Sequence, residues 1–348
     1  MTGWTNNDRP PVPQGVSGAA REGRGVMPRT GGERSGAPSL LAGIFFCALG
    51  GAVASSTLSF VGPAFVGYGY LSVAPTGGLR SRVSCLAATL VPAAALALAG
   101  GVSTVVSAVA ACLVAVAVCE LVAARRLTPG ALCATVAVAA LALIGADELV
   151  ALASGTTLSA GIESLLDAYR QQLVDLTGAA DQVGAVFAVL GLLWPVAYVM
   201  AATASCVSSL VGALVASRAA NGTVTRPPRL ADFDLPLWVV AVFVASVAGI
   251  ALALSVDGAV SQVALALSAN VAMSVRIALA VQGLAVVAWV ARDKGLGPVG
   301  TVLVCAAALY LEVQFVVLTI AGLVDVWANF RHLTRGASPS DAGQSMQD

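Results

Sequence analysis

The chain has 348 residues, 58% hydrophobic and 10% charged, with a single Lys and a formal net charge of +0 from 18 basic and 18 acidic side chains. That balance excludes an ordinary soluble domain and leaves no basic surface for nucleic acid. Apolar runs of about 18 residues or more, enough to cross a hydrocarbon core of roughly 30 Å, recur from residue 39 to residue 325. The expected fold class is therefore all-α: a polytopic transmembrane helical bundle in the lipid bilayer, with about eight spans plus one short or re-entrant segment.

Residues 1–38 are rich in Gly, Pro, Ser and Arg and carry almost no clustered apolar side chains, the composition of a disordered polar tail. The transmembrane domain is expected over 39–325 and a polar C-terminal tail over 326–348. The first apolar segment starts late and is longer than the h-region of a signal peptide, which predicts an uncleaved first helix. The eight apolar segments lie at 39–58, 83–100, 104–124, 131–150, 184–217, 235–256, 266–291 and 298–323. Residues 60–79 carry no charge until Arg80 but contain two prolines and five glycines, which suits a short, broken or re-entrant element. The 184–217 segment is too long for one perpendicular crossing and contains Pro195.

Basic residues fall in alternate connections: Arg80 and Arg82, then Arg125 and Arg126, then Arg218, Arg226 and Arg229, then Arg292 with Lys294. Lys and Arg accumulate in short cytoplasmic loops, so these connections are expected inside, together with the N-terminus. The same parity places the C-terminus outside, against Arg331 and Arg335, unless the long 184–217 segment is two crossings; both arrangements stay open. The Asn221–Gly222–Thr223 sequon falls in an inside connection and is discounted. The connection from about 147 to 183 is expected outside and holds Asp147, Glu148, Glu163, Asp167, Asp175 and Asp181 against Arg170 alone. Within its extramembrane part, 151–183, Ile162, Leu165, Leu166, Tyr169, Leu173 and Leu176 recur at three- and four-residue spacing, the stripe of an amphipathic helix packed across the outer ends of the bundle.

The seven cysteines all lie in apolar segments without a C-x-x-C pair, and the only histidine, His332, sits in a polar stretch. One histidine excludes a multi-histidine metal site or a His-dependent triad within one chain. No phosphate-cradling G-x-x-x-x-G-K-[ST], no H-E-x-x-H, no G-x-S-x-G and no pair of aspartate-rich motifs occurs. The expectation is a protein that is not an enzyme, with no metal and no cofactor. Ala48 and Ala52 on the first helix form a small-x-x-x-small pair of the kind that permits close helix approach.

Towards the C-terminus the sequence becomes more individual. The stretches "PPRLADFDLPLWVV" (227–240), "ANVAMSVRIALAVQGLAVVAWV" (269–290) and "AGLVDVWANFRHL" (321–333) resemble the YybS-like family of bacterial membrane proteins, through Pro236, Trp238, Asn270, Gln282, Gly283, Gly322, Asp325, Trp327, Phe330 and Arg331. That family is similar in outline to the substrate-binding S components of energy-coupling-factor transporters. The resemblance implies a plasma-membrane component that binds a small water-soluble nutrient, with a transmembrane coupling protein and cytoplasmic ATPases as partners. It also implies that Ala48 and Ala52 dock the coupling protein. The alternative is a membrane scaffold or regulatory protein with no transported substrate.

Arg276 interrupts the apolar run 266–291. It lies about 22 Å along its helix from the 292–297 loop, and Glu312 lies about 21 Å along the next helix. Two helices joined by so short a loop run antiparallel, so the two charges reach nearly the same depth, where an unpaired charge costs at least about 2.5 to 3.5 kcal/mol. They are expected to pair. Asn270 and Gln282 on one helix, with Tyr310 and Gln314 on the other, are the further polar candidates for a substrate site or an intramembrane polar cluster, although their spacing keeps all of them from facing one cavity.

Overall fold

The computed structural model describes residues 40–75, 77–220, 224–256 and 258–331. The expected N-terminal tail, the sequon and residues 332–348 with His332 lie outside the described residues. Among the described residues there are eleven α-helices and no strand: α1 (Leu40–Ala54), α2 (Gly62–Val73), α3 (Gly78–Ala97), α4 (Val102–Ala123), α5 (Pro129–Ala153), α6 (Leu158–Thr177), α7 (Ala180–Ala219), α8 (Leu237–Ser255), α9 (Ala259–Asp293), α10 (Pro298–Phe315) and α11 (Val317–Ala328). Seven of these, α3, α4, α5, α7, α8, α9 and α10, are long and apolar enough to cross a membrane. The fold is an all-α polytopic bundle.

Local chemistry sets several of the boundaries. Thr128 ahead of Pro129 is an N-cap followed by a first-turn proline, and its hydroxyl accepts from Ala131 N at 3.1 Å. Thr157 caps α6 in the same way, and Gly178, at φ 69°, closes it in the left-handed conformation. The 184–217 run belongs to one 40-residue helix, α7, which keeps going through Pro195 and is about 60 Å long.

Two expected spans differ from the sequence reading. The segment at 39–58 stops at Ala54 and folds back through a short turn into α2, so α1 and α2 form a hairpin of 15 and 12 residues. The segment at 298–323 breaks at Val316, whose φ is 58°, and from the break α11 packs against α9. Its end reaches the connection between α7 and α8, where the Arg331 guanidinium donates to the Ala231 carbonyl at 2.7 Å. Arg331 therefore lies at the arginine-bearing end of the bundle rather than opposite it. The 184–217 run lies within one continuous helix and so makes no second crossing of its own.

Glycines let the short helices sink against the long ones. A Cβ at Gly67 or Gly212 would collide with the Ser209 or Ala64 carbonyl, which holds α2 against α7 backbone to backbone. The same relation joins α9 to α11, where Gly283 meets the Leu318 carbonyl and Gly322 meets the Leu279 carbonyl. On α1, the packed small residues are Gly43, Cys47, Gly50, Gly51 and Ala54. Buried cysteines fill the same role in the core around α2, where Cys47, Cys85 and Cys119 pack with Tyr70, Leu71 and Ala213. A second core joins the α8 start to α9 and α11 through Leu235, Val239, Leu279 and Val326.

Substitution separates glycines that pack from those that do not. In a helix interior Gly→Ala gains up to about 1 kcal/mol of propensity, and overpacking costs about 1 to 3 kcal/mol. Gly145→Ala, with nothing in the way of a new Cβ, is expected to leave thermal unfolding in detergent unchanged or slightly later. Gly283→Ala and Gly322→Ala are expected to lower the unfolding temperature; equal melting of all three variants would mean that the α9–α11 approach is looser than described.

Candidate functional site

The polar side chains inside the bundle fall into three groups held by internal partners and one group that lines a cavity. The first is the pair expected from helical rise. Arg276 Nε and a terminal nitrogen lie 3.3 and 3.2 Å from Glu312 Oε1. Glu312 does more than pair: its Oε1 accepts from the Thr319 hydroxyl at 2.6 Å and its Oε2 from the Thr319 backbone N–H at 3.0 Å. With Val316 as N-cap, Thr319 occupies the third position of α11. The Glu312 side chain thus satisfies an otherwise orphan N–H and places negative charge at the positive end of the helix dipole. Of the six polar residues named from the sequence, these two meet each other. Tyr310 and Gln314 are exposed on α10, because positions two residues either side of Glu312 face away from it.

Asn270 and Gln282 are likewise in separate places. Six residues along an α-helix turn the side-chain direction by about 240°, so 270, 276 and 282 on α9 point in three directions about 120° apart. Asn270 Nδ2 donates to the Leu192 carbonyl of α7 at 2.8 Å and to Ala266 at 2.7 Å, while its Oδ1 is buried without a hydrogen-bond partner among the described residues. Gln282, fully buried, donates to Asp325 Oδ2 at 2.8 Å and to Asp234 Oδ1 at 3.3 Å, and accepts from Leu235 N at 3.1 Å. Arg331 closes this second group with a 2.8 Å ion pair to the same Asp325 oxygen, both side chains being inaccessible to solvent. Gly283 and Gly322 bring the two backbones close enough for this network, so positions scattered over 234–331 meet at one place.

The third group lies near the end of α4, where Tyr70 donates to Glu120 Oε1 at 2.6 Å and Arg82 lies 3.3 Å from Oε2. A carboxylate inside the apolar run 104–124 was the available signal for Glu120, and the sequence reading passed over it.

At the opposite, acidic end of the bundle is a cavity of about 550 Å³ between the end of α1, the starts of α4, the end of α5 and the middle of α7. Its described lining contains eight hydroxyl side chains, one carboxylate and no basic group. The carboxylate is Asp147, which accepts from Tyr198 at 2.8 Å and from Ser103 at 3.0 Å. Its neighbour Glu148 turns away and accepts from Leu158 N at the start of α6. The volume is that of a small-molecule site. From the sequence Asp147 stands where the apolar segment 131–150 passes into the outside connection; α5 runs on to Ala153, so Asp147 is within a helix and faces the bundle.

Ala48 and Ala52 are half-buried and continue the α1 stripe that begins with exposed Leu41 and Phe45. The apolar stripe of α6 is only partly covered: Ile162 and Leu166 are half-buried, whereas Leu165, Tyr169, Leu173 and Leu176 are exposed. Among the described residues no group of three or more His, Cys, Asp or Glu side chains could hold a metal ion.

The double role of Glu312 changes what charge reversal should do. Arg276→Glu and Glu312→Arg are each expected to reduce folded yield. The double reversal restores attraction but places an arginine against the positive end of α11, so recovery should be partial, read as monodisperse protein after detergent extraction. Thr319→Val removes a hydrogen bond worth about 1 kcal/mol and should cost less than Glu312→Ala, which also leaves Arg276 unpaired. Full recovery by the double reversal would show that Glu312 does not act as a cap.

No curated protein and no solved structure is similar enough to this chain to be matched. Residues 78–326, which run from the start of α3 into the last turn of α11, match the family model described as "Predicted membrane protein (DUF2232)". With most of the bundle inside the matched region, the chain belongs to the DUF2232 family of predicted membrane proteins.

Proposed function

We propose that this integral membrane protein is the substrate-binding component of a transporter in a bacterial plasma membrane, taking up a small water-soluble nutrient and carrying no ATPase or other enzymatic activity of its own. The observation that carries the reading is the 550 Å³ cavity at the acidic end, with a hydroxyl-rich lining and a carboxylate held in place by two donors. By the positive-inside rule that end faces outward, where a nutrient arrives. The resemblance of the last third to the YybS-like family, and of that family to S components of energy-coupling-factor transporters, supports a coupling protein and cytoplasmic ATPases as partners. The half-buried Ala48–Ala52 stripe on α1 is the place where such a coupling protein would dock.

A scaffold or regulatory protein without a transported substrate is the second reading, favoured by the Arg276–Glu312 and Asp325–Arg331 groups, which satisfy one another and hold helices together. Thermal unfolding of the purified chain against a panel of water-soluble nutrients separates the two. A ligand that binds only the folded state adds about 2.7 kcal/mol at a hundredfold excess over its Kd. One or more compounds are expected to raise the unfolding temperature of the native chain and not of Ala111→Phe, which fills the cavity. Silence throughout the panel favours the scaffold.

Docking has its own test. Ala48→Leu and Ala52→Leu are each expected to abolish co-purification of the coupling protein from native membranes while leaving thermal unfolding unchanged. Intact co-purification would place the coupling surface elsewhere, and loss of folding would assign the alanines to internal packing.

A further inference from the structure

We infer that the ligand of the cavity is a protonated organic amine whose N–H groups, and not only its charge, are what the site reads; the inference rests on the transport reading above. A hydroxyl carries one hydrogen and two lone pairs, so a lining hydroxyl that has committed its hydrogen can only accept. Ser55, Ser56, Thr104 and Ser205 donate to the carbonyls of Ala52, Val53, Gly100 and Ala201 at 2.7 to 3.0 Å. Ser103 and Tyr198 donate to Asp147. Six of the eight lining hydroxyls thereby present oxygen lone pairs, and Asp147 adds a carboxylate. Ser59 and Ser107 alone have no committed hydrogen among the described residues.

Such a lining is the wrong polarity for a carboxylate, sulfate or phosphate. An anion would meet a negative charge and a set of acceptors, with two hydroxyls to donate and no Arg or Lys. An ammonium supplies donors to five of the six committed oxygens, Ser56 Oγ already accepting from Leu58 N at 3.2 Å, and a charge opposite to that of Asp147, which makes no ion pair among the described residues. Taking a cationic head group into a site with a carboxylate and several acceptors compensates its lost hydration; taking an anion there does not.

The surroundings act in the same direction. Glu163, Asp167, Asp175 and Asp181 lie on α6 and at the start of α7, beyond the same end of the bundle, with only Arg170 opposing them. A one-signed field at the mouth of a site raises the local concentration and arrival rate of the opposite sign. The volume argues for an organic cation over a bare metal ion. At about 30 Å³ per water molecule, 550 Å³ holds well over ten waters, so a lone ion would leave the cavity mostly hydrated.

Ligand pairs that differ in one property test this in the full chain reconstituted in nanodiscs. The probes are ethanolamine and choline, which share a cationic head but differ in N–H donors; putrescine; the acids succinate and glycerol phosphate; the neutral polyols glycerol and sorbitol; and sodium chloride. Saturable thermal stabilisation by ethanolamine or putrescine is expected, at least tenfold weaker for choline, and lost or weakened at least tenfold in Asp147→Asn. Ala111→Phe, which leaves the carboxylate intact, should also abolish it, so a folding defect confined to one variant does not decide the matter. Stabilisation by an acid or a polyol with the amines silent would overturn the amine assignment and leave the transport reading standing. Equal binding of choline and ethanolamine would overturn the donor argument, and a response to sodium chloride alone would identify a metal-ion site instead. Silence of all the probes, with a nutrient of another class stabilising the chain, overturns the amine; silence of every compound overturns both readings.

Discussion

A helix begins with N–H groups that have no partner within it, and the break at Val316 is organised by that constraint. Each such donor left unpaired in lipid costs several kcal/mol, so the break between α10 and α11 can exist only with an acceptor close by. Glu312 supplies it, one turn before the break, through the Thr319 N–H and hydroxyl. A carboxylate at that depth requires a cation of its own, and Arg276 on α9 is at the same level. Cap, ion pair and break form one unit: the break at Val316 leaves the N–H that Glu312 satisfies, and Glu312 is the partner of Arg276. Beyond the break α11 packs on α9, and there Asp325 meets Gln282 while Arg331 meets Asp325 and the 224–236 connection.

The helix α9 connects these demands because of its pitch. Three polar residues six apart send one side chain to α7, one to α10 and one to the α8–α11 corner, so a single long helix ties together neighbours that do not all touch one another. Close backbone approach makes the last contact short enough to be useful. Gly283 and Gly322 each remove a Cβ where the opposing carbonyl lies, and the Gln282 side chain reaches Asp325 across that seam. The same device works in the first part of the chain, where Gly67 and Gly212 seat α2 against α7. There the adjoining contacts are mostly apolar or thiol, so the glycines serve packing alone.

What could be read from the sequence was what depends on length and period. Hydrophobic runs located the membrane helices, and a rise of 1.5 Å per residue brought Arg276 level with Glu312 without any knowledge of tertiary contacts. The break at Val316 was not legible, because "LEVQFVVLTI" contains neither Pro nor Gly; a β-branched residue in the left-handed region is a tertiary outcome, sustained by the cap on its far side. The partners of Gln282 were missed for a related reason, since Asp234 and Asp325 approach it from opposite directions in sequence. The cavity was invisible because its hydroxyls are divided among the end of α1, α4 and α7, each a single Ser, Thr or Tyr in an apolar setting, where it reads as ordinary helix packing.

Those hydroxyls also distinguish the cavity from the other polar groups of the bundle. In the Arg276–Glu312 and Asp325–Arg331 groups, donors and acceptors of the chain meet each other, and the result is cohesion between helices. Around Asp147 six of the eight lining hydroxyls give their hydrogen to a helix backbone or to the carboxylate, and five of those six oxygens accept nothing from the described residues. A serine that returns its hydrogen to the preceding turn satisfies itself without needing a neighbouring helix, so nothing about folding requires these side chains to converge. Their convergence on one cavity, at the end of the bundle where acidic residues gather, is a property that the needs of helix packing leave unexplained and that recognition of a hydrogen-bond donor would account for.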